Sequence, residues 1–208
     1  MSYPAAKRVL DVSIALVLLV VASPVFAFLF VAIGLDTAFR RDDRGAWLYR
    51  ERRISRGREF DLLKFRTLRR DALAGMHGES HVRLLEADES NLTWAGRRIL
   101  KPWYLDELPQ LWNVMCGDMS LVGPRPWPPS MVAKQVAQGL TYREEFVAGW
   151  TGPAQVQKGA TETAGYAQLD LAYVDACRQM SPLRVVRKDL GILWRTVLVM
   201  ARGEGLAF

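Results

Sequence analysis

The sequence predicts an α-rich α+β fold. An N-terminal re-entrant membrane helix–break–helix precedes a compact cytosolic domain with interfacial amphipathic helices and a small β element. Three observations support this prediction: an uncharged run at residues 12–35 is interrupted by Ser23-Pro24, two short apolar runs flank a glycine-containing turn, and later apolar residues recur at helical spacing. We expect residues 1–39 to form the anchor and residues 40–208 the cytosolic domain.

The composition suits a globular domain with a membrane appendage. The 208 residues are 50% hydrophobic and 24% charged, which excludes an intrinsically disordered chain and a polytopic membrane protein. The net charge of +6 suggests an anionic partner, which could be nucleic acid, anionic lipid or a phosphorylated substrate. Cys116 and Cys177 belong to no motif and are expected to be reduced thiols.

The first element is the uncharged run, whose 24 residues would form a helix about 36 Å long, enough to cross a bilayer. Pro24 is expected to kink this helix, and Ser23 can donate to the carbonyl that the proline leaves free. Basic residues flank both ends of the run: Lys7, Arg8, Arg40, Arg41 and Arg44. The positive-inside rule therefore favours a re-entrant hairpin with both ends in the cytoplasm, and a straight spanning helix is the alternative.

The second element is a small β-hairpin. The runs WLY and FDLLKF lie on either side of a turn at residues 55–57, within an arginine-rich stretch. Residues 71–91 are polar and predict a loop with a helical piece at 82–87. His77 and His81 in this loop leave a zinc site as an alternative, which is disfavoured because no third ligand accompanies them.

The next stretch predicts a helix followed by an extended segment. Four apolar residues recur at helical spacing: Leu108, Leu111, Trp112 and Met115. Because proline is tolerated only in the first helical turn, Pro109 places the start of this helix at residues 106–108, and Gly117 marks its end. The glycine and prolines of residues 123–129 then predict a stiff extended segment that carries Arg125.

The C-terminal part predicts mainly helices. Residues 131–145 and a stretch that begins near residue 169 are expected to be helical, with a Gly/Thr loop at 149–165. The last helix, residues 183–200, has an apolar stripe: Val186, Leu190, Leu193, Val197 and Met200. Basic residues lie off this stripe: Arg184, Arg187, Lys188 and Arg195. Two interpretations stay open, a helix on an anionic membrane surface and a helix that packs its stripe on the core.

Candidate chemistry centres on the adjacent carboxylates Asp106 and Glu107. On a helix they would point about 100° apart, and a helix N-terminus would favour their ionised form. An ionised aspartate is a competent nucleophile toward phosphorus and a ligand for Mg²⁺, so Asp106 is the candidate for both roles. The alternative is an acidic first turn that only caps the helix.

Basic residues around this pair make a diphosphate site plausible. The cations are Lys64, Arg66, Lys101 and Arg125. Fixed cations together with a carboxylate and Mg²⁺ suit a substrate diphosphate. The glycine-rich nucleotide motifs, H-E-x-x-H and G-x-S-x-G are absent from the sequence, so nucleotide binding through a glycine loop is not expected.

Four segments together resemble one protein family over nearly the whole chain. They read KRVLDVSIALVLLVVASP, KFRTLRRDA, LDELPQLWNVMCGDMSLVGPRP and TGPAQV. In this order they resemble the bacterial sugar transferase family, the monotopic phosphoglycosyl transferases. The resemblance implies an anchor broken at Ser23-Pro24 in the bacterial inner membrane, with the catalytic domain on the cytoplasmic face.

The resemblance also implies a reaction. A sugar-1-phosphate would pass from a nucleotide sugar, usually UDP-linked, to a polyprenol phosphate such as undecaprenyl phosphate, with Mg²⁺ and with release of UMP. Asp106 would be the nucleophile that forms an aspartyl-phosphosugar intermediate, and Glu107 would orient groups or assist proton handling. The four cations would bind substrate phosphates. Membrane lipid is an expected partner and nucleic acid is not; the oligomeric state is open, with a homodimer as one alternative.

The sequence departs from the family pattern at several positions. Lys101 stands where arginine is common, Trp103-Tyr104 replace small polar residues, Ala148 replaces a proline, and Gly159 falls where arginine is usual. These departures leave open a catalytically altered, membrane-bound relative that binds a lipid phosphate or a partner. A third hypothesis is a soluble nucleic-acid binder, suggested by basic residues interleaved with aromatic ones: Trp47, Tyr49 and Phe65.

Overall fold

The computed structural model describes residues 3–40, 43–74, 85–157 and 163–202. The chain divides into two compact units. Unit 1 comprises Met1–Val17, Arg52–Asp61 and Leu111–Phe208, and unit 2 comprises Leu18–Glu51 and Leu62–Gln110. The division into an anchor at 1–39 and a cytosolic domain at 40–208 stays a prediction. His77, His81, Arg41, Gly159 and part of the expected helical piece at 82–87 lie outside the described residues.

Helices dominate the described residues, and the predicted α-rich α+β class is confirmed. The helices are α1 (Ala5–Val21), α2 (Ser23–Phe39), α3 (Arg70–Ala74), α4 (Gln110–Cys116), α5 (Pro129–Ala137), α6 (Tyr142–Glu145), α7 (Pro153–Val156), α8 (Thr163–Gln179) and α9 (Pro182–Ala201). The strands are β1 (Leu48–Ser55), β2 (Arg58–Phe65), β3 (Met119–Val122) and β4 (Ala148–Thr151). Shorter helical turns are the 3₁₀ turns Glu89–Asn91 and Leu105–Glu107 and the π-helical turn Gly96–Leu100.

The N-terminal helix is broken at the predicted place. α1 ends at Val21 and α2 begins at Ser23, and the two helices are bent by 58°. Pro24 has no N–H to offer the carbonyl of Val20, and Ser23 Oγ donates to that carbonyl at 2.7 Å, as expected. In the described part of the chain, no single helix is long and apolar enough to cross a membrane, whereas this bent pair reaches that length and composition together.

The basic residues at the start of α1 form an ion pair and hydrogen bonds within unit 1. Lys7 is only 2% exposed; its ammonium pairs with Asp189 and donates to the carbonyl of Val122 at 2.9 Å. Arg8 donates to two carbonyls in the last turn of α4, at 2.5 and 2.7 Å. Lys7 is therefore neutralised by a carboxylate within the fold, whereas Arg8 keeps its charge and is held by backbone carbonyls.

Helix α2 shares the core of unit 2 with the end of β2. The buried residues of this core are Leu29, Ile33, Phe65, Ala95 and Leu100. Phe30 lies edge-on to Phe65 with ring centroids 5.8 Å apart, and Leu105 packs against the same cluster. The residue directly before Asp106 therefore packs against the core cluster to which α2 contributes.

The predicted hairpin is confirmed, and its strands extend further toward the turn than expected. Arg56 and Gly57 form the turn, and both have positive φ angles, 50° and 70°. Glycine is suited to this conformation, whereas arginine adopts it rarely. The glycine is thus the local signal that located the hairpin.

The helix expected to begin at residues 106–108 begins later. α4 starts at Gln110, and the two carboxylates lie in the 3₁₀ turn that precedes it. Pro109 has no N–H to make an α-helical bond to the carbonyl of Leu105, which instead accepts a 3₁₀ bond from the Leu108 amide at 3.3 Å. The expected end of this helix is confirmed, since α4 stops at Cys116.

A parallel strand pair in unit 1 was not predicted. β3 and β4 pair with Met119 opposite Ala148 and Val122 opposite Thr151. A Cβ atom at Gly149 would lie 2.1 Å from the Gly123 amide nitrogen, so this contact requires glycine. The loop expected at 149–165 is wrong in its first part, where β4 and α7 lie instead.

The helix expected at 131–145 is divided in two. α5 ends at Ala137 and α6 begins at Tyr142. Gly139 between them has a φ of 83°, which is incompatible with a continuous right-handed helix. The two parts therefore place Tyr142 and Arg143 in the interior of unit 1.

The terminal helix is confirmed as α9, but its predicted stripe does not face the core. Its buried residues are Val185, Asp189 and Ile192. From the predicted stripe, Leu190, Val197 and Met200 are 46%, 55% and 44% exposed. The core-packing interpretation is wrong for these three residues, because the ion pair between Asp189 and Lys7 turns the polar residue inward and the stripe outward.

Candidate active site

The two adjacent carboxylates lie on an irregular segment of unit 2. Tyr104 has a left-handed φ of 55°, and Leu105–Glu107 form the 3₁₀ turn. The Asp106 side chain is only 3% exposed, and that of Glu107 is 12% exposed. Asp106 is therefore almost fully enclosed, whereas Glu107 is slightly more accessible.

Lys101 lies between two carboxylates. Its Nζ atom is 3.2 Å from Asp106 Oδ2 and 2.6 Å from Glu86 Oε2. Glu86 in turn accepts a hydrogen bond from Thr67 Oγ at 2.8 Å. The order Thr67, Glu86, Lys101, Asp106 forms one continuous chain of polar contacts that ends on the candidate nucleophile.

Lys64 gives the second carboxylate of the pair its own cation. Its Nζ atom lies 3.6 Å from Glu107 Oε1 and 4.0 Å from Glu51 Oε2. Lys64 lies near the end of β2, so the hairpin positions it. Two of the four predicted phosphate-binding cations, Lys64 and Lys101, are thus brought to the carboxylate pair.

The electrostatic setting of Asp106 differs from the expected one. Burial raises the pKa of Asp106; Lys101 opposes this increase, and Glu107 adds to it. Burial lowers the pKa of Lys101, but the carboxylates of Asp106 and Glu86 outweigh burial, so the net pKa is raised. The expectation that a helix N-terminus stabilises ionised Asp106 is therefore wrong in direction, because the residue lies in a buried 3₁₀ turn. A carboxylate with a raised pKa is a more basic, stronger nucleophile once it is ionised.

Arg66 is engaged by the protein itself. Its guanidinium donates to Asp43 Oδ1 at 2.7 Å and to the Asp43 carbonyl at 2.8 Å. It also donates to the carbonyls of Ala46 and Leu68 at 3.0 and 3.2 Å. These contacts fix the chain on both sides of the hairpin, and a role of Arg66 toward phosphate stays a prediction.

Arg125 lies in unit 1, in the extended segment between β3 and α5. Its carbonyl accepts a hydrogen bond from Arg143, whose guanidinium also pairs with Asp170 at 2.9 Å. The same guanidinium lies 4.4 Å from the ring centre of Trp127. The backbone around Arg125 is therefore held by a buried network, and its role toward phosphate stays a prediction.

The donor set fits the Mg²⁺ that the family resemblance implies. Among the described residues, no cluster of three or more His, Cys, Asp or Glu side chains could hold a metal by itself. Magnesium is typically held by one or two carboxylates together with substrate phosphates and waters. Asp106 and Glu107 would be the oxygen donors of such a site, and their role in holding Mg²⁺ stays a prediction.

Sequence reasoning missed Glu86, Thr67 and Glu51. Glu86 belongs to a polar stretch that carried no motif, and Glu51 is one acidic residue in an arginine-rich strand. Thr67 is part of the KFRT segment, where only the two basic residues were singled out. The available signal for all three was weak, because their importance depends on contacts between distant parts of the sequence.

Comparison with known families matches residues 2–203 to the family described as bacterial sugar transferase. Among curated proteins, the UDP-glucose:undecaprenyl-phosphate glucose-1-phosphate transferase of Caulobacter vibrioides is 36% identical over 199 residues, covering 92% of this chain and 68% of that protein. The Uncharacterized sugar transferase EpsL of Bacillus subtilis is 35% identical over 209 residues, covering 96% of this chain and 89% of that protein.

A longer relative is the undecaprenyl-phosphate galactose phosphotransferase of Salmonella typhimurium. It is 35% identical over 213 residues, covering 96% of this chain and 41% of that protein. This chain thus spans less than half of the Salmonella relative and most of the Bacillus one. In all three, the similarity covers more than nine-tenths of the present chain and so includes the carboxylate pair.

Proposed function

The chain belongs to the bacterial sugar transferase family, and on this premise we propose that it is a polyprenyl-phosphate sugar-1-phosphate transferase. It transfers a sugar-1-phosphate from a UDP-sugar to undecaprenyl phosphate and releases UMP, as the first membrane step of glycoconjugate synthesis. The names of two relatives, which state undecaprenyl phosphate as the acceptor, support this proposal. The observation that carries it is the buried Asp106 carboxylate held 3.2 Å from the Lys101 ammonium.

In the first step, a carboxylate oxygen of Asp106 attacks the phosphorus atom attached to the sugar. A new bond forms between this oxygen and phosphorus, and the bond from phosphorus to the oxygen of UMP breaks. UMP leaves with the electron pair, and the sugar phosphate stays on Asp106. Splitting one transfer into two displacements is the general advantage of such a covalent intermediate.

In the second step, an oxygen of the lipid phosphate attacks the same phosphorus atom. The bond from phosphorus to Asp106 breaks, which restores the carboxylate and releases the lipid diphosphate sugar. Glu107, which contacts Lys64, is the group that we assign to accept a proton from the lipid phosphate. Lys101 and Lys64 offset negative charge on the phosphates as the bonds change.

Asp106 would also hold Mg²⁺ through one carboxylate oxygen. The bound cation would offset charge on the diphosphate and so lower the electrostatic barrier to attack by an anionic nucleophile. This assignment rests on the oxygen donors at the site and on the family.

We further propose that α1 and α2 form a re-entrant anchor at the cytoplasmic face of the bacterial inner membrane. Both helices expose large apolar side chains: Leu16, Val17, Val20, Val21, Phe28, Phe30, Val31 and Leu35. Apolar surface of this extent is unfavourable in water and suits a bilayer. Because α2 and Leu105 share one apolar cluster, the anchor would hold the nucleophile close to the depth of a lipid phosphate.

The experiment that tests this function is a UMP-release assay on the purified protein. The protein is supplied with Mg²⁺, undecaprenyl phosphate and each member of a panel of UDP-sugars, and lipid-linked product is detected with a labelled sugar. We expect UMP and lipid-linked product in equal amounts with at least one donor. Binding of lipid phosphate without UMP release from any nucleotide sugar would instead favour the catalytically altered relative.

A further inference from the structure

Glu86 contacts the cation beside the candidate nucleophile, yet it belongs to no motif. We infer that Glu86 is a positioning residue that holds Lys101 between itself and Asp106. The inference rests on the proposed function, since Lys101 matters here as the neighbour of the attacking carboxylate. Glu86 hydrogen-bonds to Lys101, and Lys101 in turn contacts Asp106, so Glu86 acts through Lys101.

Both oxygens of Glu86 are engaged, so the orientation of its carboxylate is fixed. Oε1 accepts from Thr67 Oγ at 2.8 Å, and Oε2 accepts from Lys101 Nζ at 2.6 Å. The side chain is 11% exposed, which keeps water from competing for these hydrogen bonds. Charge-assisted hydrogen bonds of this kind are short and stronger than neutral ones.

Thr67 is in turn held by the backbone of the same segment that carries Lys101. Its carbonyl accepts from the Thr93 amide at 2.8 Å. A Cβ at Gly96 would lie 2.5 Å from this carbonyl oxygen, so only glycine permits the approach. The Lys101 amide donates to the Gly96 carbonyl at 3.0 Å, which closes the π-helical turn. Thr67 thus helps to position Lys101 in two ways. It holds the backbone of Lys101 through Gly96 and the side chain of Lys101 through Glu86.

The two distances at Lys101 indicate what Glu86 does. Nζ is closer to Glu86, at 2.6 Å, than to Asp106, at 3.2 Å. An ammonium paired with Asp106 alone would bind that carboxylate tightly and reduce its nucleophilicity. By sharing the ammonium, Glu86 keeps Lys101 near Asp106 without a full ion pair on the nucleophile.

Because Lys101 is shared by two carboxylates, one N–H of its ammonium is left to donate to the substrate. An ammonium has three N–H groups, and among the described residues two carboxylates account for the hydrogen bonds of Lys101. We assign the remaining N–H to a phosphate oxygen of the donor substrate. Glu86 therefore fixes the direction of a cation that serves both the nucleophile and the phosphate.

The test compares Glu86→Gln with the wild-type full-length protein in steady-state UMP release. Glutamine keeps the size of the side chain and the bond to Thr67 but removes the charge that holds Lys101. We expect kcat to fall by about 10- to 100-fold, the range typical of residues that orient a functional side chain, with a smaller increase in KM for the UDP-sugar, because Lys101 also contacts the donor phosphate in this proposal. Glu89→Gln, the same change on an exposed residue three positions on, is the matched control and keeps wild-type kcat.

A double-mutant cycle with Lys101→Met separates positioning from general structural support. If Glu86 acts through Lys101, Glu86→Gln has no further effect on kcat in the Lys101→Met background. Losses that multiply in the double variant would overturn the inference, and so would wild-type kcat in Glu86→Gln, while the proposed function would stand in both cases. A wild-type protein that releases no UMP would overturn the proposed function and this inference together.

Discussion

Lys101 Nζ lies 3.2 Å from Asp106 Oδ2 although the two residues are five positions apart. In a regular α-helix, residues at this spacing point about 140° apart and do not meet. The contact exists because the backbone between them is irregular: a π-helical turn ends at Leu100, Tyr104 is left-handed, and a 3₁₀ turn follows. Such irregular backbone is common where side chains must be aimed at a functional site.

Replacing Lys101 by methionine tests the importance of this contact for activity. Two buried carboxylates lose their shared cation, and the donor phosphate loses a charge partner. We expect kcat/KM for the UDP-sugar to fall by about 10²- to 10³-fold, as when one electrostatic donor is removed from an active site. Lys134→Met on the surface of α5 is the control. An unchanged kcat/KM in Lys101→Met would remove Lys101 from the site.

Asp170 gives a prediction for stability against pH. Burial raises its pKa from the ordinary 3.8 to about 6, and its Oδ1 has no hydrogen-bond partner among the residues that the structure describes. Between these values the folded protein holds a proton that the unfolded chain has lost. This bound proton stabilises the folded protein by about 3 kcal/mol at a pH below the pKa of Asp170 in the unfolded chain. The stabilisation is lost as the pH rises through the pKa of Asp170 in the folded protein.

The measurement is the thermal midpoint of the full-length protein in detergent from pH 4 to pH 7. We expect Asp170→Asn to flatten the decrease that the wild type shows between pH 4 and 6. Asp175→Asn, on an exposed position of the same helix, should leave the decrease intact. Identical pH profiles for wild type and Asp170→Asn would contradict the raised pKa.

A substitution of Lys7 tests whether a buried ion pair holds the N-terminal end of α1 in place. Lys7→Met leaves the Asp189 carboxylate buried without its cation, which costs about 3–5 kcal/mol in comparable buried pairs. We expect a clear decrease in the thermal midpoint and a partial recovery in the double variant Lys7→Met/Asp189→Asn. If Lys7 only set membrane topology, the single variant would keep the wild-type midpoint.

The orientation of the broken helix is testable by cysteine labelling. The exposed Cys116 is first replaced by serine, and single cysteines are then placed at Ser2 and Arg40. We expect a membrane-impermeant reagent to label both sites in inside-out vesicles and neither in right-side-out vesicles. Labelling of one site in each preparation would instead establish a spanning helix.

The features that the sequence predicted well have local causes. Pro24 breaks the N-terminal helix by removing one backbone donor, and Gly57 marks the hairpin by its positive φ. The terminal helix follows from regular apolar spacing. The carboxylate pair could be singled out because its surrounding motif lies in one continuous segment, and its catalytic role stays a prediction. Each of these signals is contained within a few neighbouring residues.

The features that escaped prediction depend on contacts between distant residues. The strands β3 and β4 have four residues each and are stabilised by pairing across 29 positions at Met119 and Ala148. The buried face of α9 is decided by an ion pair between Lys7 and Asp189, which helical periodicity cannot reveal. Glu86 is significant only because the fold brings Lys101 to it.

The most direct test is to locate the sugar phosphate on the protein. The purified full-length chain is incubated with a labelled UDP-sugar and Mg²⁺ without lipid acceptor, then digested and sequenced by tandem mass spectrometry. We expect the mass of one sugar phosphate on Asp106 and not on the adjacent Glu107, with release on addition of undecaprenyl phosphate and no adduct in Asp106→Asn. A sugar phosphate on another residue, or full transfer activity in Asp106→Asn, would contradict the assignment of Asp106 as the nucleophile.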